Sequence, residues 1–446
     1  MKGLSAEPIA YLSPTPSKPA GAQFTLDGAE RLVSPGWPGT KRITNRSGQQ
    51  YQLMTDSADL TDSSGDSADS RVDPTDSPVD RADPSVDFTE ISVDGDTIDD
   101  VVDVLESGRY VKGPILERFE DRFAEKTGVD HAVGVSSGTA AILLALQAAG
   151  IGPGDDVFVP GHTFFATASP VLSLGANPVF VDVDSDTYTM DPEGLAAAAE
   201  SAENPAAAIP VHIYGGMADM SAIRAVADEH DMFVLSDSCQ AHFASRDGER
   251  AGSAGDAGAF SFYPSKNMTV AGDGGMVTTD DGELAERMRR FRNHGRGDDG
   301  IHRALGLNYR LDETSAAVGL GQLAKVERWN ASRNAAAGRY TDRLTDVPAV
   351  TTPTEPADGF HVYHLYVIQV PDRDALRDHL ASDGIDTGIH YDTPLHEHPA
   401  IEERVGEIDL PRSERLADHI VSLPMHPNIS ESEVEYVAQR ISEYYQ

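Results

Sequence analysis

Residues 131–149 read HAVGVSSGTAAILLALQAA, and this stretch carries the strongest indication of the fold class. Its first five residues are mostly apolar and precede a Ser-Ser-Gly-Thr turn, so they predict a short buried strand over 131–135. The alanine- and leucine-rich remainder predicts a helix over 138–149. A strand followed directly by a helix is the unit from which α/β proteins are built.

The same alternation extends on both sides of this stretch. Short apolar runs predict four further strands, at 157–160, 178–183, 208–212 and 233–235. Apolar residues at helical spacing predict helices at 98–105, 116–123, 166–174 and 220–229. The strands lack polar alternation, which is typical of a sheet covered by helices on both faces. We therefore expect an α/β domain with a mainly parallel sheet over residues 88–325.

The pattern changes after Arg310. Helices are predicted at 313–333, 335–344, 373–382 and 431–444, and strands at 362–370 and 387–391. This mixture predicts a second, smaller α+β domain over residues 326–446.

The first 87 residues differ from the rest. Residues 1–53 are rich in Pro, Gly and Ser, and residues 55–85 contain nine Asp and two Arg but no Lys, Glu or aromatic residue. Such a composition buries too little apolar surface to offset chain entropy, so it predicts a disordered acidic leader. Two alternatives are an interaction tail and an over-long gene model with translation starting at Met54. Detection of a native peptide covering residues 24–31 by mass spectrometry would exclude the late start.

Composition limits the partners and the compartment. The chain carries 73 acidic and 35 basic residues, a net charge of -38, which repels nucleic acid and anionic membranes. Salt screens the self-repulsion of such a surface, so we hypothesise a salt-adapted protein. One cysteine, Cys239, excludes an intrachain disulfide and fits a reducing compartment. The chain has no run of 18 or more apolar residues, so no transmembrane helix is predicted. We therefore expect a cytoplasmic protein.

Three segments contain side chains suited to chemistry. Gly138 and Thr139 lie where a helix is predicted to begin. The N–H groups and dipole of a helix N-terminus bind phosphate. The alternative is that these residues form an ordinary helix cap. Asp237 follows an apolar strand at the edge where open α/β sheets bind ligands; the alternative is a surface turn. Lys266 lies in an apolar and hydroxylated segment, where burial lowers an amine pKa and favours Schiff-base chemistry; the alternative is a lysine extending from a strand end to solvent.

Together these segments resemble one known family. From about residue 108 to residue 427 the chain resembles the DegT/DnrJ/StrS-type sugar aminotransferases, a branch of the fold-type I pyridoxal-phosphate (PLP) enzymes. The matching strings, in chain order, are SGRYVKGP (107–114), SGTAA (137–141), PGHTFFAT (160–167), PVFVD (178–182), PVHIYG (210–215), DSCQAH (237–242), FSFYPSKN (260–267), GDGG (272–275), RNHGR (292–296), NYR (308–310) and GIHY (388–391).

The resemblance implies a fold-type I PLP transferase, with a mainly parallel seven-stranded sheet in a large domain and a smaller C-terminal α+β domain. It implies PLP as cofactor and a homodimer with shared active sites. The implied reaction moves an amino group from an amino acid, with glutamate the expected donor, to a nucleotide-linked keto sugar. Two alternatives are a PLP-dependent sugar dehydratase, in which histidine replaces the lysine, and a cofactor-free sensor, which would lose the lysine, the aspartate or the stacking aromatic residue.

The resemblance also implies a role for each matching residue. Lys266 would form the Schiff base and shuttle a proton, Asp237 would pair with the pyridine nitrogen, and Gln240 would reach the ring hydroxyl. Phe164 would stack on the ring. The implied phosphate-binding residues are Gly138, Thr139, Ser261 and, from the partner subunit, Asn293. The implied sugar-site residues are Tyr309, His390 and Tyr391, of which the last two have domain packing as an alternative role. No metal is expected, and Cys239, where the family usually has alanine, is interpreted as a buried filler.

Overall fold

The computed structural model describes residues 85–356 and 358–446, together with the backbone of 41–44 and 50–53. The strands in chain order are β1 (Lys41–Thr44), β2 (Gln50–Leu53), β3 (His131–Val135), β4 (Asp156–Pro160), β5 (Asn177–Val181), β6 (Pro205–Ala208), β7 (Phe233–Asp237), β8 (Ser245–Arg246), β9 (Glu249–Arg250), β10 (Ala257–Ser261), β11 (Gly275–Thr279), β12 (Gly359–Phe360), β13 (Tyr366–Gln369) and β14 (Ile420–Leu423).

The α-helices in chain order are α1 (Gly95–Ser107), α2 (Pro114–Thr127), α3 (Gly138–Ala149), α4 (Ser169–Ser173), α5 (Pro192–Ser201), α6 (Met220–Glu229), α7 (Gly282–Phe291), α8 (Glu313–Leu323), α9 (Val326–Leu344), α10 (Arg373–Ser382), α11 (Pro399–Val405), α12 (Pro411–His419) and α13 (Glu431–Tyr444). Among the described residues, none of these helices is both long and apolar enough to cross a membrane.

One seven-stranded sheet organises the large domain, with strand order β3-β11-β10-β7-β6-β4-β5. Strands β10, β7, β6, β4 and β5 pair in parallel, whereas β11 runs antiparallel to both of its neighbours. Every residue of β4 and β11 is buried. The prediction of a mainly parallel, helix-covered sheet of seven strands is therefore confirmed.

Local signals explain how strand β3 passes into helix α3. Ser137 is the N-cap and its side chain accepts a hydrogen bond from the backbone N–H of Ala140 (3.1 Å), the usual way to satisfy a free helix donor. The helix ends at Gly150, whose φ of 93° lies in the left-handed region that glycine adopts without strain. The alanine and leucine side chains between these caps pack into the central core.

Several predicted elements differ from the structure. The strand predicted at 208–212 has its regular part at Pro205–Ala208, although pairing with β7 continues through a bridge between Val211 and Asp237. Pro210 has no N–H to complete the strand ladder. The helix predicted over 313–333 ends at Leu323, and α9 begins anew at Val326. The strand predicted at 387–391 is wrong: among those residues only Gly388 pairs with a strand, through Ser422.

The C-terminal region has a hydrophobic core of its own. Strands β13 and β14 pair antiparallel, and helices α9, α10 and α13 contribute buried side chains beside them, including those of Tyr340, Leu380 and Val437. Helix α9 begins at Val326, where the second domain is predicted to start. The boundary itself stays a prediction.

The predicted acidic leader lies largely outside the described residues, but two parts of it are described. The backbone of β1 and β2 forms an antiparallel pair. This pair departs from the expectation of a leader without regular structure. Val86 is buried and bridges to Ile385, so the folded chain begins before residue 88.

Candidate active site

A cavity of about 350 Å³ lies at the carboxyl ends of strands β4, β7 and β10. Side chains from these strand ends converge there because parallel strands end at the same edge of the sheet. The cavity brings together nine of the residues that the sequence singles out: Gly138, Thr139, Phe164, Asp237, Gln240, Ser261, Lys266, His390 and Tyr391. It does not bring in Asn293 or Tyr309.

The N-terminus of helix α3 forms one end of the cavity. Gly138 is buried and Thr139 is exposed, and Ser261 faces them from the end of β10. A Cβ atom at Gly138 would lie 2.7 Å from the Ser261 Cβ and 3.0 Å from the Cys239 Sγ. Only glycine therefore lets the helix terminus approach the strand end this closely, and the backbone N–H groups and two hydroxyls that result suit a phosphate group.

We expect Gly138→Ala to weaken both the fold and phosphate binding, because the added methyl group must push Ser261 or Cys239 aside. The expected loss of unfolding free energy is about 1–3 kcal/mol, measured by urea unfolding of the cofactor-free protein, with a parallel loss of PLP affinity by titration. Gly272→Ala is the matched control, since a Cβ there meets nothing within 4 Å. Equal effects of the two substitutions would contradict the packing explanation.

Asp237 ends strand β7 with its carboxylate buried and fixed in orientation. Its Oδ2 accepts a hydrogen bond from the Thr167 hydroxyl (2.9 Å), and its Oδ1 accepts one from the backbone N–H of Cys239 (3.1 Å). These two donors hold both oxygens of the carboxylate in place. The carboxylate can therefore hold a protonated ring nitrogen in the cavity.

Gln240 is held between the large domain and the C-terminal region. Its Oε1 accepts from the backbone N–H of Tyr214 (2.7 Å), and its Nε2 donates to the hydroxyl of Tyr391 (3.0 Å). These contacts fix which side of the amide carries the donors, and Nε2 keeps a second hydrogen for a ligand. Burial raises the pKa of Tyr391, so its hydroxyl remains protonated and can donate.

Lys266 follows β10 in a turn closed by its backbone N–H, which donates to the carbonyl of Tyr263 (2.8 Å). Its side chain is half-buried and lines the cavity. Burial lowers the pKa of Lys266, although Cys239 and Asp237 act in the opposite direction. A lowered pKa increases the share of neutral amine, the form that attacks a carbonyl.

Aromatic side chains stand at the edge of the cavity. Phe164 is 54% exposed and its ring centroid lies 5.7 Å from that of Tyr391. An aromatic ring left so open at a cavity edge suits stacking on a planar ligand. His390 also lines the cavity, and it is packed as well: its Nδ1 lies 2.9 Å from the Ser422 hydroxyl and its ring stacks on Phe88.

Two predicted site residues lie elsewhere in this chain. The Asn293 Oδ1 accepts a hydrogen bond from Arg310 (2.9 Å). Tyr309 packs against the central core, and its carbonyl accepts from the N–H of Ser136 (2.9 Å). Asn293 was expected to act on the partner subunit, which its position outside this chain's own cavity permits.

The cavity also contains residues for which the sequence alone predicts no role. Thr167 orients Asp237, and it lies inside one of the matching strings, so a signal for it existed. His364 lies with its Nε2 3.5 Å from the Lys266 Nζ, across 98 residues of chain. No local pattern in the sequence indicates a contact over such a separation.

This donor set fits pyridoxal phosphate. The helix terminus with its two hydroxyls suits the phosphate, the fixed carboxylate of Asp237 suits the pyridine nitrogen, and Lys266 supplies the amine that a Schiff base requires. All of them line the same cavity.

Comparisons with known proteins agree with this geometry. The family model described as the DegT/DnrJ/EryC1/StrS aminotransferase family matches residues 92–442. The chain is 44% identical over 344 residues to dTDP-3-amino-3,4,6-trideoxy-alpha-D-glucose transaminase of Streptomyces venezuelae, covering 76% of this chain and 90% of that protein. It is 41% identical over 346 residues to the pleiotropic regulatory protein of Geobacillus stearothermophilus, covering 77% and 92%.

A solved structure resembles the whole folded region. The crystal structure of S. venezuelae DesV in complex with a ketimine intermediate superposes with a TM-score of 0.79 at 42% identity, covering 81% of this chain and 99% of that one.

Proposed function

The chain belongs to the DegT/DnrJ/EryC1/StrS aminotransferase family, and we propose that it moves an amino group from an amino acid, with glutamate as the expected donor, to a nucleotide-linked keto sugar. The observation that carries this proposal is the convergence of Lys266, Asp237 and the N-terminus of α3 on one cavity. The similarity to a dTDP-sugar transaminase supports the substrate class.

Each residue of the cavity has a separate role in the proposed reaction. PLP, when bound, supplies the electron sink that makes a substrate C–H bond acidic. Lys266 anchors the cofactor and then, once displaced, moves a proton at the substrate carbon. Asp237, held by Thr167, keeps the ring nitrogen protonated. Thr139 and Ser261, with the α3 N-terminus, bind the phosphate.

Gln240 and Tyr391 orient the reactants. Gln240 and Tyr391 present an N–H and an O–H to ring or substrate oxygens, since their remaining hydrogen-bonding groups are already engaged with each other and with Tyr214. Phe164 would cover one face of the ring and exclude water from it.

Two alternatives compete with this assignment. A sugar dehydratase of this family would have histidine at the lysine position, and this chain has Lys266. A regulatory protein is suggested by the name of one relative, but a cofactor-free sensor has no use for Lys266, Asp237 and Phe164, all of which are retained. The intact set favours the aminotransferase.

The deciding experiment incubates the purified protein and PLP with glutamate and a panel of nucleotide-linked keto sugars. Mass spectrometry should find one acceptor converted to the product in which an amino group replaces the keto oxygen. Mass loss equal to water without nitrogen gain would instead identify a dehydratase. Failure of every acceptor, with no change in the bound cofactor on adding glutamate, would contradict the proposed function.

We further propose that the enzyme is a homodimer with shared active sites. The segment that follows Asn293 exposes large apolar side chains, with Leu305 91%, Leu307 60% and Ile301 56% exposed. Helix α1 exposes a second apolar set, composed of Ile98, Val102 and Leu105. Exposed apolar side chains in such numbers are typical of a protein–protein interface.

Asn293→Ala should weaken PLP binding about 10-fold or more in the dimer, because the cofactor phosphate would lose one charge-assisted hydrogen bond. Fluorescence titration of the cofactor-free protein measures the affinity, and sedimentation checks that the dimer persists. Asn308→Ala, at the exposed residue that bridges to Asn293 through the backbone, is the control. Unchanged affinity in the intact Asn293→Ala dimer would remove this role.

We propose a salt-adapted, cytoplasmic enzyme, in keeping with the net charge of -38 and the single cysteine. Activity and the unfolding temperature should both rise as KCl increases from low to molar concentration, because counter-ions screen the repulsion among acidic side chains. Full activity and stability at low salt would contradict the salt adaptation.

A further inference from the structure

Residues 361–365 reach from the C-terminal region to the wall of the cavity, and the large domain holds their backbone. The N–H of Val362 donates to the carbonyl of Gly215 (3.0 Å), and the N–H of Leu365 donates to that of Tyr214 (3.2 Å). A Cβ at Gly215 would lie 2.8 Å from the backbone nitrogen of Tyr363 and 2.9 Å from that of His364. Glycine at 215 therefore permits this close approach.

Two buried side chains fix the segment further. Arg333 donates from Nη1 to the carbonyls of Tyr363 (3.2 Å), His364 (3.4 Å) and Met425 (2.8 Å). Asn267, next to Lys266 in the sequence, donates from Nδ2 to the carbonyl of Val362 (3.0 Å). The Asn267 side chain thus links the segment that carries Lys266 to the segment that carries His364. This link keeps the two side chains close to each other.

The ring of His364 is buried, and its two nitrogens differ in their contacts. Nε2 lies 3.5 Å from the Lys266 Nζ, whereas Nδ1 has no hydrogen-bond partner among the described residues. A neutral imidazole carries its proton on one nitrogen only. A proton on Nδ1 would leave a buried N–H without an acceptor, and orphaned donors are rarer than orphaned acceptors. We therefore assign the proton to Nε2, facing the amine.

We propose that His364 is a positioning residue that donates a hydrogen bond from Nε2 to the amine of Lys266 and holds this amine neutral and aimed into the cavity. The proposal rests on the assignment of Lys266 as the Schiff-base lysine. It gives the C-terminal region a part in setting the reactivity of a lysine in the large domain.

The charges around His364 agree with a neutral ring. Burial lowers the pKa of His364 well below its ordinary value, and Lys266 and Arg333 act in the same direction. The two other histidines that face it are neutral as well: burial lowers the pKa of His242 to about 3 and that of His390 to about 4.

Asp237 and Cys239 are the other groups whose charges act on Lys266. Burial lowers the pKa of the lysine most strongly, whereas a charge on either of these two groups would raise it. Burial also raises the pKa of Cys239 well above its ordinary value, so its thiol stays neutral. A donor at His364 favours the neutral amine and therefore acts in the same direction as burial.

The test is competitive labelling of the full-length protein with acetic anhydride across neutral to alkaline pH, without cofactor or substrate. Peptide mapping gives the pH midpoint at which Lys266 becomes reactive. We expect His364→Leu to raise this midpoint by about 0.5–1 pH unit, because the neutral amine loses one hydrogen bond. His364→Gln, which carries an N–H at nearly the position of Nε2, should restore the original midpoint.

Two further variants keep the test decisive. His364→Asn is too short to reach the amine and should raise the midpoint like leucine, which provides a polar comparison if the leucine variant does not fold. His242→Leu removes a neighbouring buried histidine that forms no hydrogen bond with Lys266, and it should leave the midpoint unchanged. An unchanged or lowered midpoint in His364→Leu or His364→Asn, or a raised one in His364→Gln, overturns the proposal.

The result does not depend on the proposed reaction. A midpoint shift with no reduced cofactor adduct on Lys266 after borohydride treatment would uphold the contact and remove the catalytic assignment. An adduct on Lys266 without a shift of the midpoint would uphold the catalytic assignment and overturn the proposed contact with His364.

Discussion

Replacing Lys266 with alanine should reduce transamination by about 10^4-fold or more, because the variant loses both its covalent anchor and the base that moves a proton at the substrate carbon. The lysine is half-buried and forms no salt bridge among the described residues, so the protein should still fold without its amine. Multiple-turnover assays with glutamate and the accepted keto sugar measure the loss, and circular dichroism follows unfolding. Borohydride reduction and peptide mapping should find the pyridoxyl adduct on Lys266 only in the parent protein.

Lys126→Ala is the matched control for this experiment. Lys126 pairs with Glu327 at 3.0 Å and does not line the cavity, so its loss should leave turnover within a factor of two or so, as expected for a surface ion pair. Transamination that survives in Lys266→Ala at a rate near that of the parent would show that another group forms the covalent link.

Asp237→Asn should slow catalysis by roughly 10^2-fold or more, because an uncharged amide no longer stabilises the protonated ring nitrogen. The change preserves size, and the amide oxygen can still accept from the N–H of Cys239, so the site keeps its shape. The Thr167 hydroxyl, however, can no longer donate to this position, because the amide nitrogen that replaces Oδ2 is not an acceptor. Single-turnover rates of each half-reaction, followed by the cofactor absorbance, measure the effect on chemistry separately from binding.

Asp273→Asn provides the comparison, since Asp273 also lines the cavity but forms no hydrogen bond with Thr167. We expect this substitution to change the rate several-fold less than Asp237→Asn. Near-normal rates in Asp237→Asn would show that another group holds the ring nitrogen, and equal losses in both variants would indicate a general effect of negative charge in the cavity.

The sequence predicted the elements whose signals are local. Helix α6 was predicted at its observed bounds, 220–229, and α10 at 373–382, because each repeats apolar residues at helical spacing. Helices α5 and α7 were missed although each follows an aspartate N-cap, Asp191 and Asp281. The amphipathic pattern of α5 is weak, whereas α7 is strongly amphipathic as well as capped, so the sequence did contain a signal for α7.

The break between α8 and α9 illustrates a different limit. Residues 313–333 carry a continuous helical pattern, yet the chain turns at Ala324 and Lys325. Lys325 pairs there with Asp94, which precedes α1 more than two hundred residues earlier. The break thus lies beside a tertiary contact that no local pattern contains, and propensity alone does not place such helix ends.

Local sequence singled out Lys266 and Asp237 as candidates, and the family resemblance supplied the roles proposed for them. Lys266 and Asp237 follow apolar strands, and strand ends in a parallel sheet share one edge, so their meeting follows from the alternation of strands and helices. The Thr167 bond to Asp237 and the contact of His364 with Lys266 join residues 70 and 98 positions apart. Periodicity describes only neighbours along the chain, so contacts across such separations exist only once packing has brought the segments together.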